Sequence, residues 1–306
     1  MNTMACPIPA AAVIHDLSGL GRCALSVALP TLSVLGVQGC ALPTALLSAH
    51  TGFPGSAPVD QTPFLEAALA HWAAMDRTFQ GVYTGYLAQP GQAPLLAELL
   101  ADQRRRGMAL AVVDPAMADH GKLYRGVSPQ MPEAMRALCG QASVILPNPT
   151  EAALLTGLDY APQSSPLQAA RLGRALLDLG CRAALITGLR LGEDWAANVL
   201  FPGGEGFWVC PYRPLPCAFP GAGDLFAAAF TGFALTGAAL EEAMGRATAF
   251  VYQAMKRTLE AATPTREGLC FEPMLACIRQ LQPLPRYFLR APELPRQGDV
   301  WVFPGV

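Results

Sequence analysis

The sequence is poor in charge. Of its 306 residues only 14% are Asp, Glu, Lys or Arg, against about a quarter in typical soluble domains. The 21 basic and 23 acidic side chains leave a net charge of −2, and 52% of the residues are hydrophobic. Such a chain is too apolar to be disordered, and it lacks the positive excess that attracts nucleic acids. We therefore predict a folded protein with no nucleic-acid partner.

Residues 23–59 contain no Asp, Glu, Lys or Arg at all. A bilayer-spanning helix needs about 20 predominantly apolar residues, but helix breakers and polar residues interrupt this stretch, among them Pro30, Gly36, Pro43 and His50. This density of interruptions is typical of short buried elements. We therefore predict that the stretch belongs to a protein core and that the chain has no membrane partner.

Several common functional signatures are also missing. The sequence has no G-x-x-x-x-G-K-[ST], H-E-x-x-H or G-x-S-x-G, which argues against a Walker-type NTPase, a zinc metalloprotease and an α/β-hydrolase. The nine cysteines are odd in number and include no C-x-x-C pair. The first nine residues lack the basic residue of a signal peptide. Free thiols in apolar surroundings predict a cytoplasmic location.

Short apolar runs alternate with longer amphipathic segments. The runs predict strands at residues 10–14, 37–47 (one or two strands, interrupted at Pro43), 81–84, 109–113, 142–146, 183–187, 195–201 and 206–209. Helices are predicted at residues 20–35, 63–75, 93–106, from about 150, 166–179, 224–235, 240–259 and 271–281. This order predicts an α/β protein with a mostly parallel sheet. We expect one domain over residues 1–282 and a Pro- and Arg-rich tail over residues 283–306.

Polar side chains follow four of the predicted strands. They are Asp16, Asp114, Asn148 and Thr187. Ligands of an open α/β sheet bind beyond the carboxyl ends of the strands. We therefore expect these four side chains to meet at one ligand site.

The segment Gly221-Ala222-Gly223-Asp224 opens an apolar helix. Glycines let a ligand approach the backbone closely, and the unpaired N–H groups of a helix N-terminus attract anions such as a transferred phosphoryl group. Asp224 stands where it can accept a proton from an attacking hydroxyl. A plain helix start with an acidic first-turn residue explains the same segment, and the motif alone favours that interpretation.

Three further features also have two interpretations. The segment 148–151, Asn-Pro-Thr-Glu, has the pattern of a capped helix start; functionally, Asn148 and Glu151 could lie near a hydrated Mg²⁺. Asp114 precedes a proline, as in an ordinary turn, but it also offers a carboxylate near the same metal. For His50 taken alone, a buried core histidine is the better interpretation.

Taken in order, these segments resemble the pyridoxal/pyridoxamine kinases of the ribokinase superfamily. The resemblance is carried by VIHDLSGLGR at residues 13–22, LSAHTGF at 47–53, TGY at 84–86, VDP at 113–115, PNPTEA at 147–152 and GAGD at 221–224. The His-Thr-Gly segment distinguishes this family from the sugar kinases. The resemblance implies a three-layer α/β/α ribokinase-like fold. It also implies ATP-dependent phosphorylation of the 5′-hydroxymethyl group of pyridoxal, pyridoxamine or pyridoxine, a step of vitamin B6 salvage.

The resemblance implies a role for each matching residue. Asp224 corresponds to the catalytic base, with the anion hole formed by Gly221, Ala222 and Gly223. Substrate contacts are implied for Asp16, His50, Thr51 and Tyr86; nucleotide contacts for Asp114, Asp119, Tyr124, Asn148 and Thr187; and metal contacts for Asp114 and Glu151. The family also implies ATP as co-substrate, Mg²⁺ and a homodimer, and it allows for a monovalent cation.

Two residues depart from the family pattern. Asp16 stands where many pyridoxal kinases carry Ser; its carboxylate suits a protonated pyridine ring but would equally suit an aminopyrimidine. A hydroxymethylpyrimidine kinase is therefore the alternative. Ala222 replaces a Thr, which favours a non-catalytic B6-binding protein, whereas the retained Asp224, Asn148 and Glu151 favour a kinase.

Overall fold

The computed structural model describes residues 8–290 and Trp301. Its strands are β1 (Ala10–Ser18), β2 (Gln38–Leu47), β3 (Pro58–Asp60), β4 (Gly81–Thr84), β5 (Leu110–Val113), β6 (Ala118–Asp119), β7 (Lys122–Leu123), β8 (Val144–Ile145), β9 (Ala183–Arg190), β10 (Ala196–Phe201), β11 (Gly206–Tyr212) and β12 (Tyr287–Arg290). Its helices are α1 (Ala24–Val34), α2 (Thr62–Ala74), α3 (Gln92–Arg105), α4 (Met131–Cys139), α5 (Pro149–Thr156), α6 (Pro166–Leu177), α7 (Ala222–Leu235), α8 (Leu240–Ala261) and α9 (Glu272–Leu275).

Ten of the strands form one sheet in the order β12-β11-β10-β9-β8-β5-β4-β1-β2-β3. The neighbours from β9 to β2 pair in parallel. Strands β10, β11 and β12 extend one edge with antiparallel pairing, and β3 does so at the other edge. The predicted mostly parallel sheet is therefore confirmed.

Helices cover both faces of the sheet. Strand β1 is buried on both sides: Ile14 packs into a core with residues of α2 to α6, and Val13 packs into a second core with residues of α1, α7 and α8. Strands buried on both faces are near-continuously apolar rather than alternating, which explains the runs in the sequence. The arrangement is the three-layer α/β/α architecture that the resemblance implies.

The charge-free stretch supplies helix α1, strand β2 and the start of β3. Among the described residues, no helix is both long and apolar enough to span a bilayer. Pro43 does not divide β2, because β3 pairs only with residues 45–47 and leaves β2 as an edge strand at the proline. An edge position tolerates the missing N–H group of a proline, so the run forms one strand.

The end of the chain differs from the sequence prediction. A helix was predicted over residues 271–281, but α9 spans only Glu272–Leu275. Beyond residue 282, where the domain was expected to end, β12 pairs with β11 and extends the sheet. The indole N–H of Trp301 donates to the carbonyl oxygen of Ser164 at 2.7 Å. Parts of the expected tail are therefore integrated into the domain; the rest of it lies outside the described residues.

Candidate active site

A cavity of about 700 Å³ opens at the carboxyl ends of the parallel strands. It is lined by every site residue that the sequence nominated, namely Asp16, His50, Thr51, Tyr86, Asp114, Asp119, Tyr124, Asn148, Glu151, Thr187, Gly221, Ala222, Gly223 and Asp224. These residues come from seven separate segments of the chain. The topology therefore brings them together as the strand-end argument predicts.

Asp224 is held at both carboxylate oxygens. Its Oδ1 lies 3.1 Å from Nε2 of His15, and its Oδ2 accepts the N–H group of Ala24 at 2.6 Å. Burial by itself opposes ionisation, but the charge and hydrogen bond of His15 and the Ala24 N–H group outweigh it, so the pKa of Asp224 is lowered. Ala24 adopts a left-handed φ of 54°, a conformation that costs a non-glycine residue about 1–2 kcal/mol. The fold thus keeps this carboxylate ionised and oriented.

Gly221 makes the turn that places the N-terminus of α7 at the cavity. Its φ of 78° is left-handed, and a methyl group there would overlap the carbonyl oxygen of Arg22. The N–H group of Ala222 donates to the oxygen of Phe219 at 3.3 Å, so the predicted anion hole has this donor already engaged. The N–H group of Gly223 belongs to the first turn, where no intrahelical carbonyl is available.

Asn148 and Glu151 form a capping box at the start of α5. The Asn148 amide accepts the N–H groups of residues 150 and 151 and donates to the oxygen of Ala118 at 2.7 Å. Glu151 accepts from the N–H groups of Asn148, Met117 and Ala118. The structural interpretation of this segment is therefore confirmed. Both side chains fix the loop that follows Asp114. Glu151 can therefore contact a ligand only through the carboxylate lone pairs that these hydrogen bonds leave free.

The ionised forms of Asp114 and Glu151 are disfavoured where they stand. Burial and the nearby charge of Asp224 outweigh the opposing charge of His15 and raise the pKa of Asp114 to about 7. Burial and the charge of Asp114 raise the pKa of Glu151 well above its usual range. Buried carboxylates that destabilise each other in this way are suited to a bound cation.

The donor set fits magnesium better than a fully protein-bound metal. The residues that the structure describes include no group of three or more His, Cys, Asp or Glu side chains placed to hold a metal ion. Magnesium usually takes only one or two carboxylates and keeps waters and substrate phosphates as its other ligands. Asp114 and Glu151 therefore fit Mg²⁺ that arrives with a nucleotide.

Three further nominated residues of the cavity come from the β6–β7 region and from β9. Asp119 and Tyr124 belong to the β6–β7 hairpin region, where the Tyr124 N–H group donates to the oxygen of Met117. Thr187 lies in β9, and its N–H group donates to the oxygen of Pro147 at 3.0 Å. These residues line the same cavity as Asp224.

His50 supports the loop that carries Thr51. Its Nε2 lies 2.7 Å from the oxygen of Arg266, and its Nδ1 accepts the N–H group of Gly52 at 3.1 Å. A methyl group at Gly21 would overlap the ring, which explains a glycine there. Both ring nitrogens are occupied by backbone groups, so His50 can offer a substrate only its ring edge. Its interpretation as a buried histidine with satisfied hydrogen bonds is the one that the geometry supports.

His15 was not predicted from the sequence, although it lines the cavity between two of the nominated carboxylates. Three apolar lining residues, Phe219, Val251 and Met255, were not predicted either. His15 lies within the VIHD run, where it reads as part of a buried strand. The available signal was Gly85 of the TGY segment, because a methyl group there would overlap the His15 ring.

Comparison with known proteins agrees with this geometry. The phosphomethylpyrimidine kinase family profile matches residues 25–266. The pyridoxal kinase PdxY of Rubrobacter xylanophilus is 32% identical over 258 residues, covering 80% of this chain and 86% of that protein.

Two solved structures are also similar. The pyridoxal kinase of Lactobacillus plantarum superimposes with a TM-score of 0.81 at 33% identity, covering 89% of this chain and 97% of that one. A Bacteroides thetaiotaomicron protein, assigned as a phosphomethylpyrimidine kinase and crystallised with pyridoxal, superimposes with a TM-score of 0.88 at 32% identity, covering 92% and 100%. The chain therefore has a ribokinase-like fold and belongs to the phosphomethylpyrimidine kinase family, in the branch of the pyridoxal kinases.

Proposed function

We propose that the protein transfers the γ-phosphoryl group of ATP to the 5′-hydroxymethyl group of pyridoxal, pyridoxamine or pyridoxine. The observation that carries the proposal is the placement of Asp224. It is an ionised carboxylate at the N-terminus of α7, in the same cavity as Asp16, Thr51 and Tyr86. The pyridoxal bound by the similar Bacteroides thetaiotaomicron protein supports a B6 vitamer as the ligand.

In the proposed reaction, Asp224 accepts the hydroxyl proton as the hydroxyl oxygen bonds to the γ-phosphorus. The bond to the bridging oxygen breaks, and ADP leaves. The lowered pKa of Asp224 suits this chemistry, because phosphoryl transfer has a loose transition state in which the base is needed more for position than for strength. The N–H groups of the first turn of α7 stabilise charge on the transferred oxygens.

We assign the two ends of the cavity to the two substrates. Asp16, Thr51 and Tyr86 would surround the vitamer ring, and burial together with the charge of Asp16 raises the pKa of Tyr86, which keeps its hydroxyl a donor. The ATP phosphates would lie among Asp119, Tyr124, Asn148 and Thr187. The wall of Phe219, Val251 and Met255 is apolar and suits the nucleotide base.

Nucleotide binding should require Mg²⁺. The cavity is lined by the carboxyl groups of Asp16, Asp114, Asp119, Glu151 and Asp224, whereas Arg190 is its only Lys or Arg side chain among the described lining residues. A triphosphate would be repelled without a divalent ion; when bound, the ion neutralises charge on the phosphates. Calorimetry should therefore detect ATP binding with Mg²⁺ and lose it in EDTA. Equal ATP affinity in EDTA would contradict the assignment of Asp114 and Glu151.

A hydroxymethylpyrimidine kinase is the second candidate, because the Asp16 carboxylate could accept from the amino group of an aminopyrimidine. Initial rates of ADP release should be measured with each B6 vitamer and with hydroxymethylpyrimidine. We expect the highest kcat/KM with a B6 vitamer. A much higher value with hydroxymethylpyrimidine would replace the proposed substrate, and no turnover with any of them would favour a non-catalytic binding protein.

The resemblance also bears on the oligomeric state, location and ion requirement of the protein. We propose a homodimer located in the cytoplasm, and the family allows for a monovalent cation in addition to Mg²⁺. Exposed apolar side chains on neighbouring elements support an interface, namely Leu46 of β2, Val59 of β3 and Phe64 of α2.

A further inference from the structure

His15 lies between two carboxylates of the proposed function: Asp16, assigned to the vitamer ring, and Asp224, assigned to the reacting hydroxyl. Its Nδ1 is 2.9 Å from Oδ1 of Asp16, and its Nε2 is 3.1 Å from Oδ1 of Asp224. We propose that His15 is a positioning residue that bridges Asp16 and Asp224 as a buried imidazolium, so that it orients both carboxylates and keeps Asp224 ionised. The inference rests on the proposed function for what these two carboxylates do.

Two successive residues of β1 reach the same site. Side chains of a regular strand alternate between faces, yet His15 and Asp16 both line the cavity. Both lie where the pairing of β1 with β2 becomes irregular: His15 pairs with Pro43 and Leu17 with Leu46, which places the extra residue in β2. The site therefore lies at the irregular carboxyl end of β1.

The ring is held firmly in place. His15 is only 2% exposed, and it meets the edge of the Tyr83 ring at 6.3 Å. Gly85 leaves the space that the ring fills, since a methyl group there would overlap ring atoms Cδ2 and Nε2. A side chain at position 85 would therefore push the imidazole away from Asp224.

The charge of the ring follows from its neighbours. Burial disfavours the imidazolium, but the charge of Asp224 and the hydrogen bonds to both carboxylates outweigh it and raise the pKa of His15 to about 10. The N–H groups of Asp16 and Tyr86 also point towards Nδ1, at 2.9 and 3.3 Å, as they would for a neutral ring. We favour the imidazolium, because a neutral ring would leave buried carboxylates uncompensated.

Other ionisable groups near the bridge do not replace it. Asp114 adds negative charge near His15 and Asp224, and the charge of His50 acts weakly on Asp224. Burial raises the pKa of Cys23 and Tyr83, which keeps both neutral. His15 is accordingly the cation that balances Asp16 and Asp224.

Every oxygen of the two bridged carboxylates accepts a hydrogen bond. Asp16 accepts from His15 and, through Oδ2, from the hydroxyl of Ser18 at 2.9 Å. Asp224 accepts from His15 and Ala24. Since all four oxygens have a donor, only their remaining lone pairs can face a substrate, and both carboxylates are held in fixed orientations.

The charge can be measured directly in the ligand-free protein. Because the chain has only four histidines, ¹⁵N NMR of the imidazole nitrogens can resolve each ring. We expect both nitrogens of His15 to carry protons from pH 6 to pH 8, and we expect His15 to begin titrating within this range in an Asp224→Asn variant. A neutral His15 in the wild-type protein at pH 7 would overturn the proposal.

Kinetics test the positioning role. His15→Gln keeps a donor without charge, and His15→Leu removes both. We expect kcat to fall about 10- to 100-fold in His15→Leu, as for the loss of a hydrogen bond to a charged group, and less in His15→Gln. In both, the acid limb of kcat/KM should move to higher pH and the KM for the vitamer should rise, with the KM for ATP unchanged. The exposed His71 provides the matched control His71→Gln, which should behave as wild type.

The outcomes separate this inference from the proposed function. If His15 had only a structural role, its variants would lower thermal stability and leave the pH profile of kcat/KM unchanged. That result would overturn the inference. Gly85→Ala keeps the imidazole but displaces it, so it should reproduce the shift of the acid limb if the His15 variants fail to fold. Wild-type protein that phosphorylates none of the tested substrates would overturn the proposed function, whereas the NMR result would still report the charge of His15.

Discussion

An Asp224→Asn variant is expected to lose about 10²- to 10⁴-fold in kcat, the contribution of a positioned general base. The amide has nearly the same shape but cannot accept the hydroxyl proton. The cavity, the α7 turn and the ring contacts remain, so the affinity for the vitamer should change little. Initial rates at saturating ATP and calorimetric titration of the vitamer measure the two quantities separately.

Asp178→Asn is the matched control for this variant, because Asp178 is an exposed acidic residue at the end of α6 and lies outside the cavity. It should turn over as wild type does. Unchanged turnover in Asp224→Asn would show that Asp224 is not the base. Loss of vitamer binding together with turnover would indicate instead that the change had disturbed the site through His15 or Ala24.

A Gly221→Ala variant is expected to be the most damaging small change in the anion hole. Its φ of 78° disfavours a side chain by about 1–2 kcal/mol, and the methyl group would overlap the Arg22 carbonyl oxygen. The turn must shift, which would move the N–H groups at the start of α7 away from the phosphoryl group. Removing one such donor typically costs about 10²- to 10³-fold in kcat. We expect a loss of this size with a lowered melting temperature.

Alanine substitutions at two other glycines distinguish the effect of backbone strain from the effect of a methyl group in the cavity. Gly91 also precedes a helix, but its φ is −64° and nothing lies close to an added methyl group. Gly91→Ala should therefore leave both stability and turnover unchanged. Gly223→Ala adds a methyl group in open space within the cavity, so it should weaken ATP binding without lowering stability. A Gly221→Ala variant with wild-type kcat would contradict the assigned anion hole.

The fold was largely predictable because its signals are local. The run Gly81–Thr84 was predicted with the bounds that β4 has, since a fully buried strand is apolar along its whole length. The hairpin β6–β7 has two residues in each strand, too few for a periodic signal. Strand β12 depends on pairing with β11 rather than on its own pattern, which is why it was assigned to a tail.

The residues around the cavity could also be predicted from the sequence, because polar side chains at strand ends and a glycine turn before a helix are local patterns. The hydrogen bonds that these residues make could not be predicted from the sequence. Asn148 and Glu151 were nominated as ligand contacts, whereas their polar atoms bind the backbone of residues 117–118 and 148–151. Which lone pairs stay available is decided by loops distant in sequence.

The sequence by itself determined the parallel α/β architecture, the resemblance to pyridoxal kinases and the set of residues that share one cavity. Each of these depends on short local segments and on their order along the chain, both of which the sequence contains. Only the tertiary structure decided which groups surround Asp224 and keep it ionised. Asp16 and Asp224 are separated by about two thirds of the chain, and the buried His15 lies between them. Ionisation depends on burial and on charges within a few ångströms, and no spacing in the sequence specifies those distances.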